Sequence, residues 1–340
     1  MDKKAPGYRS ATEYRFREDQ IDAIVRTAAY HRKDYPRSAI WFPPHEHDGI
    51  RGSMTTSFWR TSDAGLGSLD RLPLELLHDV LLRLDMHSIF KFRQTNLGSR
   101  RLVNSLKQYQ LVASHGLDLF CALLRTKLTL RVSLSDFYDT LCTKDCWLCH
   151  KFGSFISLLT WDRCCFSCVK YSRNNQVHTR AAVQKKLGLT KAQVDQLSSL
   201  KSLPGAYTLY ETVLKSRVTL VPAHLAILAS GQPYDLANEL LGLLRVEKHK
   251  FNFMGSCALP YYNRRAGRVE HGLSCAGCQL ATEKKIISSS DRDMEYAQDD
   301  FLEHFRWCEQ AQLLWRSSGE GNHVPSELSA AVRRGGWFKD

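Results

Sequence analysis

The stretch "CWLCHKFGSFISLLTWDRCCFSC", residues 146–168, sets two C-x-x-C pairs 15 residues apart. Each C-x-x-C turn can aim two sulfurs at one tetrahedral centre, and the segment between the pairs is long enough for a loop or hairpin that returns the second pair to the first. The spacing therefore predicts a zinc site built by Cys146, Cys149, Cys165 and Cys168. Cys164 competes with Cys165, because C-x3-C also ligates, and Cys142 and His150 are further alternatives. A clamp of this kind staples a loop-rich α+β region, and the rest of the chain reads as mostly helical.

A second, split set follows a hundred residues on. Cys275-x2-Cys278 is joined by His304-x3-Cys308, and "DDFLEHFRWCEQAQLLW" (299–315) predicts a helix with Phe301, Phe305, Ala311 and Leu314 as its apolar positions. Residues four apart on a helix share one face, the geometry of a chelating pair. Cys257 and His271 are the substitutes, in a segment that reads as a hairpin turning at Arg265-Ala266-Gly267. Both sets supply four protein ligands and leave no coordination position for water, so they read as scaffolding with two structural zinc ions as the implied cofactor. The sequence contains no H-E-x-x-H, Walker A, G-x-S-x-G or G-x-G-x-x-G motif. No catalytic residue is assigned, and a non-catalytic role is expected.

Composition agrees with a folded chain of 340 residues: 43% of residues are apolar and 24% charged. The first 20 residues lack an apolar core behind their basic residues, and no run reaches the length of a membrane span. An intracellular location, cytoplasm or nucleus, is the expectation. Eleven cysteines in such a chain point to metal rather than disulfides. The net charge of +12 concentrates in residues 141–220, which carry 12 basic and 4 acidic side chains. That excess raises a second reading, a zinc-stabilised nucleic-acid-binding protein, in which the helix pair split by Gly188, with Thr190 as N-cap, would be the reader. Without a basic run or an Arg/Gly-rich arm, nucleic-acid contact is expected to be non-specific at most.

Residues 1–66 read as a flexible extension with a short amphipathic helix, in which Ile21, Ile24, Val25 and Ala28 recur at helical spacing ahead of a Pro/Gly/Ser-rich stretch. The pattern changes at Leu69, where "LDRLPLELLHDVLLRLDMHSIFKFRQTNLGSRRLVNSLKQY" begins. Pro73 suits a first helical turn, and Leu76, Leu77, Val80, Leu81 and Leu84 give one helix a broad apolar face. Asp85 and Ser88 bracket a break before a second helix bearing Ile89, Phe92 and Arg93. Asn96 with Gly98 closes that helix, and "SRRLVNSLKQY" forms a third. Three short helices in about 40 residues carry more apolar surface than they can bury among themselves.

This stretch resembles the F-box, the adaptor-binding module of SCF-type ubiquitin ligases, on Leu72-Pro73-x-Glu75-Leu76, Leu81, Leu84, Ile89, Phe92, Arg93 and Val103. The phrases "LPGAY", "GLSCAGC" and "CWLC…CFSC" are similar to those of fungal F-box proteins with a cysteine-bearing C-terminal region, and they extend the resemblance over about 69–310. Where the third helix commonly has an aromatic residue, this chain has Arg100-Arg101. The resemblance implies an F-box-like adaptor-binding module at 69–110, with Leu72, Pro73, Leu76, Leu77, Leu81, Ile89 and Phe92 as the adaptor anchors. A zinc-stapled substrate- or partner-binding domain would span 111–315, followed by a C-terminal tail, 316–340. The implied partners are a Skp-family adaptor, through it a cullin, and a substrate protein whose identity is open.

Overall fold

Caps divide the 69–111 region into its helices. Asp85 accepts from the backbone N–H groups of His87 (3.0 Å) and Ser88 (2.9 Å), so the chain leaves helix Leu74–Arg83 and restarts as helix Met86–Phe92. Asn96 does the same at Ser99 (2.8 Å) for helix Leu97–Ser105. Asn96 thus opens the third helix, and Gly98 lies inside it. Leu77, Leu81, Met86, Ile89 and Val103 turn inward. Helices Lys107–His115, Leu117–Thr126 and Leu134–Leu141 extend the helical layer, and Leu134 N–H donates to the Leu84 carbonyl (3.0 Å) to bind the layer together.

The computed structural model describes residues 8–55, 65–233 and 249–338, together with 235, 236, 239 and 242. The fold is α+β and mostly helical, with small antiparallel sheets. Strand Phe155–Ser157 pairs on one side with Arg163–Cys164 and on the other with Ser256–Ala258. A second sheet sets Thr219–Pro222 between Val177–Thr179 and Leu200–Lys201. The predicted turn at Arg265-Ala266-Gly267 joins strands Tyr261–Asn263 and Arg268–Glu270, with Gly267 at φ +65° where a side chain would be strained. The Gly188 pair is helices Arg180–Leu187 and Lys191–Gln196, and Thr190 caps the second. Their apolar faces (Val183, Leu187, Leu189, Val194) pack on Val221, Ala223, Ala226 and Ile227.

The ends of the chain are built into the fold. The amphipathic helix forms at Ile21–Ala28, and its Ile24 and Ala28 pack with Phe301, Phe305 and Trp315 near the C-terminus. The following strand Ala29–Tyr30 pairs with Ser274–Cys275. Tyr35 stacks on Phe166 at 3.9 Å, and Val332 packs with Tyr30 and Leu314. Residues 8–42 and 330–335 are therefore core-bearing where the sequence suggests an extension and a tail, because they complete apolar faces contributed by distant segments.

A buried charge cluster ties the same ends together. Arg32 grips Asp34 with two hydrogen bonds (2.8 and 2.7 Å) and reaches Asp293 at 3.6 Å. Glu295, beside them, accepts from Ser154 Oγ, and burial pushes its carboxyl up to about 7. A carboxyl raised in the folded state favours the neutral form, so its stability contribution is present below pH about 4.5 and is lost as pH rises through about 7. Glu295→Gln should remove that loss, on the order of 3 kcal/mol at pH 8 and vanishing toward pH 4. Denaturant melts of both proteins at pH 5 and pH 8 check this, and parallel pH slopes would contradict it.

Candidate functional site

Both cysteine sets close in the same way. Strand Arg163–Cys164 leads into Cys165, which caps helix Phe166–Tyr171, and strand Ser274–Cys275 leads into helix Ala276–Glu283, capped by Cys275. In each, the second cysteine's backbone N–H donates to the capping sulfur at 3.4 Å (Cys168 to Cys165, Cys278 to Cys275). A thiolate at a helix N-terminus is favoured by those exposed N–H groups and by the helix dipole. The first pair, Cys146 and Cys149, sits in a turn that closes with His150 N–H donating to the Cys146 carbonyl (2.8 Å), His150 itself at φ +56°.

The ligand atoms of Cys146, Cys149, Cys165 and Cys168 all lie within 4.8 Å of one another, and so do those of Cys275, Cys278, His304 and Cys308. The sequence-predicted eight are thus brought together in two sets of four. Cys149 and Cys165 sulfurs are 3.6 Å apart, Cys275 and Cys308 3.8 Å, Cys278 and Cys308 4.0 Å. Tetrahedral zinc with Zn–S bonds of about 2.3 Å requires sulfurs about 3.8 Å apart, so the donors fit the ion. His304 presents Nε2 to Cys278 at 3.3 Å, while its Nδ1 faces the Tyr296 hydroxyl at 3.4 Å under a stacked ring pair. That second contact holds the ring with Nε2 toward the sulfurs.

The clustered sulfurs set one another's charge. Hydrogen bonds from Cys164, Cys165 and Cys168 drive the Cys146 thiol far down, and bonds from Cys275 and Cys278 do the same to Cys308, whereas burial pushes Cys275 up. Four clustered sulfurs can all ionise only if a positive ion shares their charge.

The alternatives fall away from these sets. Cys164 lies against the Cys146 thiol but is not one of the four, its sulfur accepting from Asn175 Nδ2 at 3.0 Å. Cys142, His150, Cys257 and His271 belong to neither set. One local expectation is corrected: His304 and Cys308 do not share a helix. Helix Gln298–Phe305 ends after His304, and Cys308 caps the next, Glu309–Ser317, with extended backbone (φ −84°, ψ 100°) bridged to Arg9. The break turns the Cys308 sulfur to the other ligands.

Sequence spacing missed the groups that brace these sets. Tyr8 reaches Cys278 Sγ at 3.9 Å. Gly277, between two ligands, lies so close to the facing helix that a Cβ would come within 2.2 Å of the Ala311 nitrogen. Arg163, wholly buried beside the first set, donates to the carbonyls of Gly153, Leu259 (3.2 Å), Thr140 (3.1 Å) and Pro260 (2.8 Å), and burial lowers its guanidinium to about 9. These contacts join distant segments, so no local pattern marks them.

The apolar face of the 69–111 helices divides in two. Leu77, Leu81 and Ile89 are buried within the helical layer, and Phe92 is half-buried. Pro73 is exposed, as are Leu72 (40%), Leu76 (52%) and Val80 (50%), with Leu69 and Leu74 beside them. Leu76 and Val80, four apart, form one stripe on helix Leu74–Arg83, pointing away from the layer. Residues 69–111 match the F-box domain family. The chain carries an F-box domain. Such domains typically bind the Skp-family adaptor of SCF ubiquitin ligases, and F-box proteins are generally non-catalytic. No curated protein and no solved structure matches the chain. None of the described helices is long and apolar enough to cross a membrane.

Proposed function

We propose that this protein is an F-box-type substrate receptor, a non-catalytic subunit that holds a target protein beside an SCF-type ubiquitin ligase. The observation that carries the reading is the exposed stripe Leu72, Leu76 and Val80 within a matched F-box domain. Buried aliphatic anchors dominate interfaces of this kind, and exposed aliphatic side chains clustered at the start and along one face of a helix are what an adaptor would cover. Of the anchors expected from sequence, Leu72, Pro73 and Leu76 then contact the adaptor, while Leu77, Leu81, Ile89 and Phe92 set the pose of the helix that carries them. Residues 69–110 form the adaptor module, and 111–315, stapled by two structural zinc ions, presents the substrate surface together with the N- and C-terminal segments packed on it. The work done is proximity: a tethered target meets the charged conjugating enzyme at raised effective concentration. Such a protein acts inside the cell, in cytoplasm or nucleus. Affinity purification of the tagged chain should return the Skp-family adaptor and a cullin, and a preparation lacking both would overturn the reading.

The basic segment 141–220 gives the nucleic-acid reading its only support. The Gly188 helix pair spends its apolar faces on its own small core, and Arg180 pairs with Asp195. Retention on DNA or RNA should fade between about 50 and 200 mM salt, as counterion release dictates. Tight binding of a defined oligonucleotide at physiological salt, lost on Lys185→Ala and Lys191→Ala, would favour that reading instead.

A further inference from the structure

A small cavity of about 170 Å³ opens beside the buried charge cluster that ties the chain ends together. Its walls come from residues 32–36, the start of helix Leu117–Thr126, strand Phe155–Ser157 and residues 258–260. His115 and His271, both exposed, stand at the mouth with Asp118, whereas Ser154 and Glu295, both buried, close the floor. Leu119, Phe155 and Leu259 make the sides apolar. The volume lies below that of drug-sized sites and suits a ligand of few heavy atoms.

The charges behind the floor leave one carboxylate over. Arg32 grips Asp34 at 2.8 and 2.7 Å and reaches Asp293 at 3.6 Å, and Arg292 donates twice to Asp293, at 2.8 and 2.7 Å. Two guanidiniums thus answer two carboxylates, and Glu295 is the third. It is 6% exposed, accepts from the neutral Ser154 hydroxyl, and forms no ion pair with any described Lys, Arg or His. Burial raises its carboxyl to about 7 against the Ser154 bond and Arg32, and Asp34 and Asp293 add to the rise. The mouth supplies no cation, because desolvation lowers both the His115 and the His271 imidazole from the ordinary value. A buried carboxylate without a cation is costly unless something else meets it.

We propose that this cavity binds a primary ammonium group on a short alkyl chain: the ammonium meets Glu295 on the floor, and the chain lies between Leu119, Phe155 and Leu259. An ammonium is a compact charge with three donors, which suits a single carboxylate in a narrow cavity. With it bound, two guanidiniums and one ammonium answer three carboxylates. That chemistry has two sources, a free alkylamine and the lysine side chain of a docked protein. The site does not depend on whether the F-box engages an adaptor.

Calorimetric titration of the full zinc-loaded chain at pH 8 with n-butylamine, butyramide and butyrate tests this. The amine should bind saturably at about 1 mM or tighter, and the amide and butyrate should bind roughly tenfold more weakly or not at all. Glu295→Gln keeps an acceptor for Ser154 and removes the charge, so it should weaken the amine by roughly tenfold or more. Ala258→Leu, which adds volume to the lining from a half-buried position, should abolish binding, with unchanged zinc content and circular dichroism showing that each variant is folded. N-acetyl-lysine methylamide separates the sources: binding as tight as that of the amine assigns the site to a lysine side chain, and weaker binding assigns it to a free amine. Equal binding of the amine, amide and butyrate, no binding of the amine, or amine binding that survives both substitutions in folded protein would overturn the proposal.

Discussion

Each Cys→Ser substitution in a ligand set should remove one equivalent of zinc from the protein and, in the second set, the fold around it. Elemental analysis of the intact chain should give two zinc ions; Cys149→Ser and Cys278→Ser should each give one. The effect is large because the sulfurs of Cys275, Cys278 and Cys308 sit inside the cluster of Ile24, Phe301, Phe305 and Trp315, where the N-terminal helix joins the C-terminal ones. Without the ion these are buried thiols and an imidazole competing for protons in an apolar setting. Apparent binding free energies of structural zinc run to about 10–16 kcal/mol in small peptides, comparable with the whole stability of a domain at about 5–15 kcal/mol. A strong chelator should therefore abolish cooperative unfolding and leave a loosened chain with exposed apolar surface. Folded protein with less than one zinc per chain and an unchanged melt would contradict the metal assignment.

The second large effect separates the two faces of the F-box. Leu76→Asp combined with Val80→Asp places two carboxylates on the exposed stripe and should cost adaptor binding about 4 kcal/mol or more, roughly a thousandfold, while leaving zinc content and melting behaviour near those of the parent. Leu81→Asp or Ile89→Asp should do the reverse. Both parent residues are buried in the helical layer. A buried unpaired carboxylate destabilises by several kcal/mol, so adaptor binding would fall only because the protein unfolds. If Leu81→Asp left a folded chain that had lost the adaptor alone, the division of the face would be wrong.

How far the sequence revealed the molecule depended on whether the determining contacts were local. The Cys146–Cys168 set was legible because a C-x-x-C turn fixes two sulfurs within four residues, whereas the choice of Cys165 over Cys164 rested on Cys165 capping the helix that carries Cys168. The F-box helices announced themselves through Pro73, Asp85 and the leucine spacing. The helix break before Cys308 was hidden because Arg9, near the other end of the chain, holds Cys308 extended. The packing of the N-terminal segment was hidden for the same reason: its composition resembles a linker, yet Ile24 and Ala28 pack with Phe301, Phe305 and Trp315, and Tyr35 stacks on Phe166, all more than a hundred positions away. Inside the F-box, periodicity showed that the apolar face was broad but not which half of it the neighbouring helices Lys107–His115 and Leu134–Leu141 would cover. Arg100, of the Arg100-Arg101 pair, turns toward Ser53, a placement with no signature in its neighbours.

Direct titration of the purified, zinc-loaded chain with a purified Skp-family adaptor at about 150 mM salt bears on the recruitment reading without intermediaries. One adaptor should bind per chain with a dissociation constant of about 1 µM or tighter, and the Leu76→Asp, Val80→Asp protein should show no measurable heat at the same concentrations. A folded parent chain that fails to bind the adaptor, or one whose binding is untouched by those two carboxylates, would contradict it.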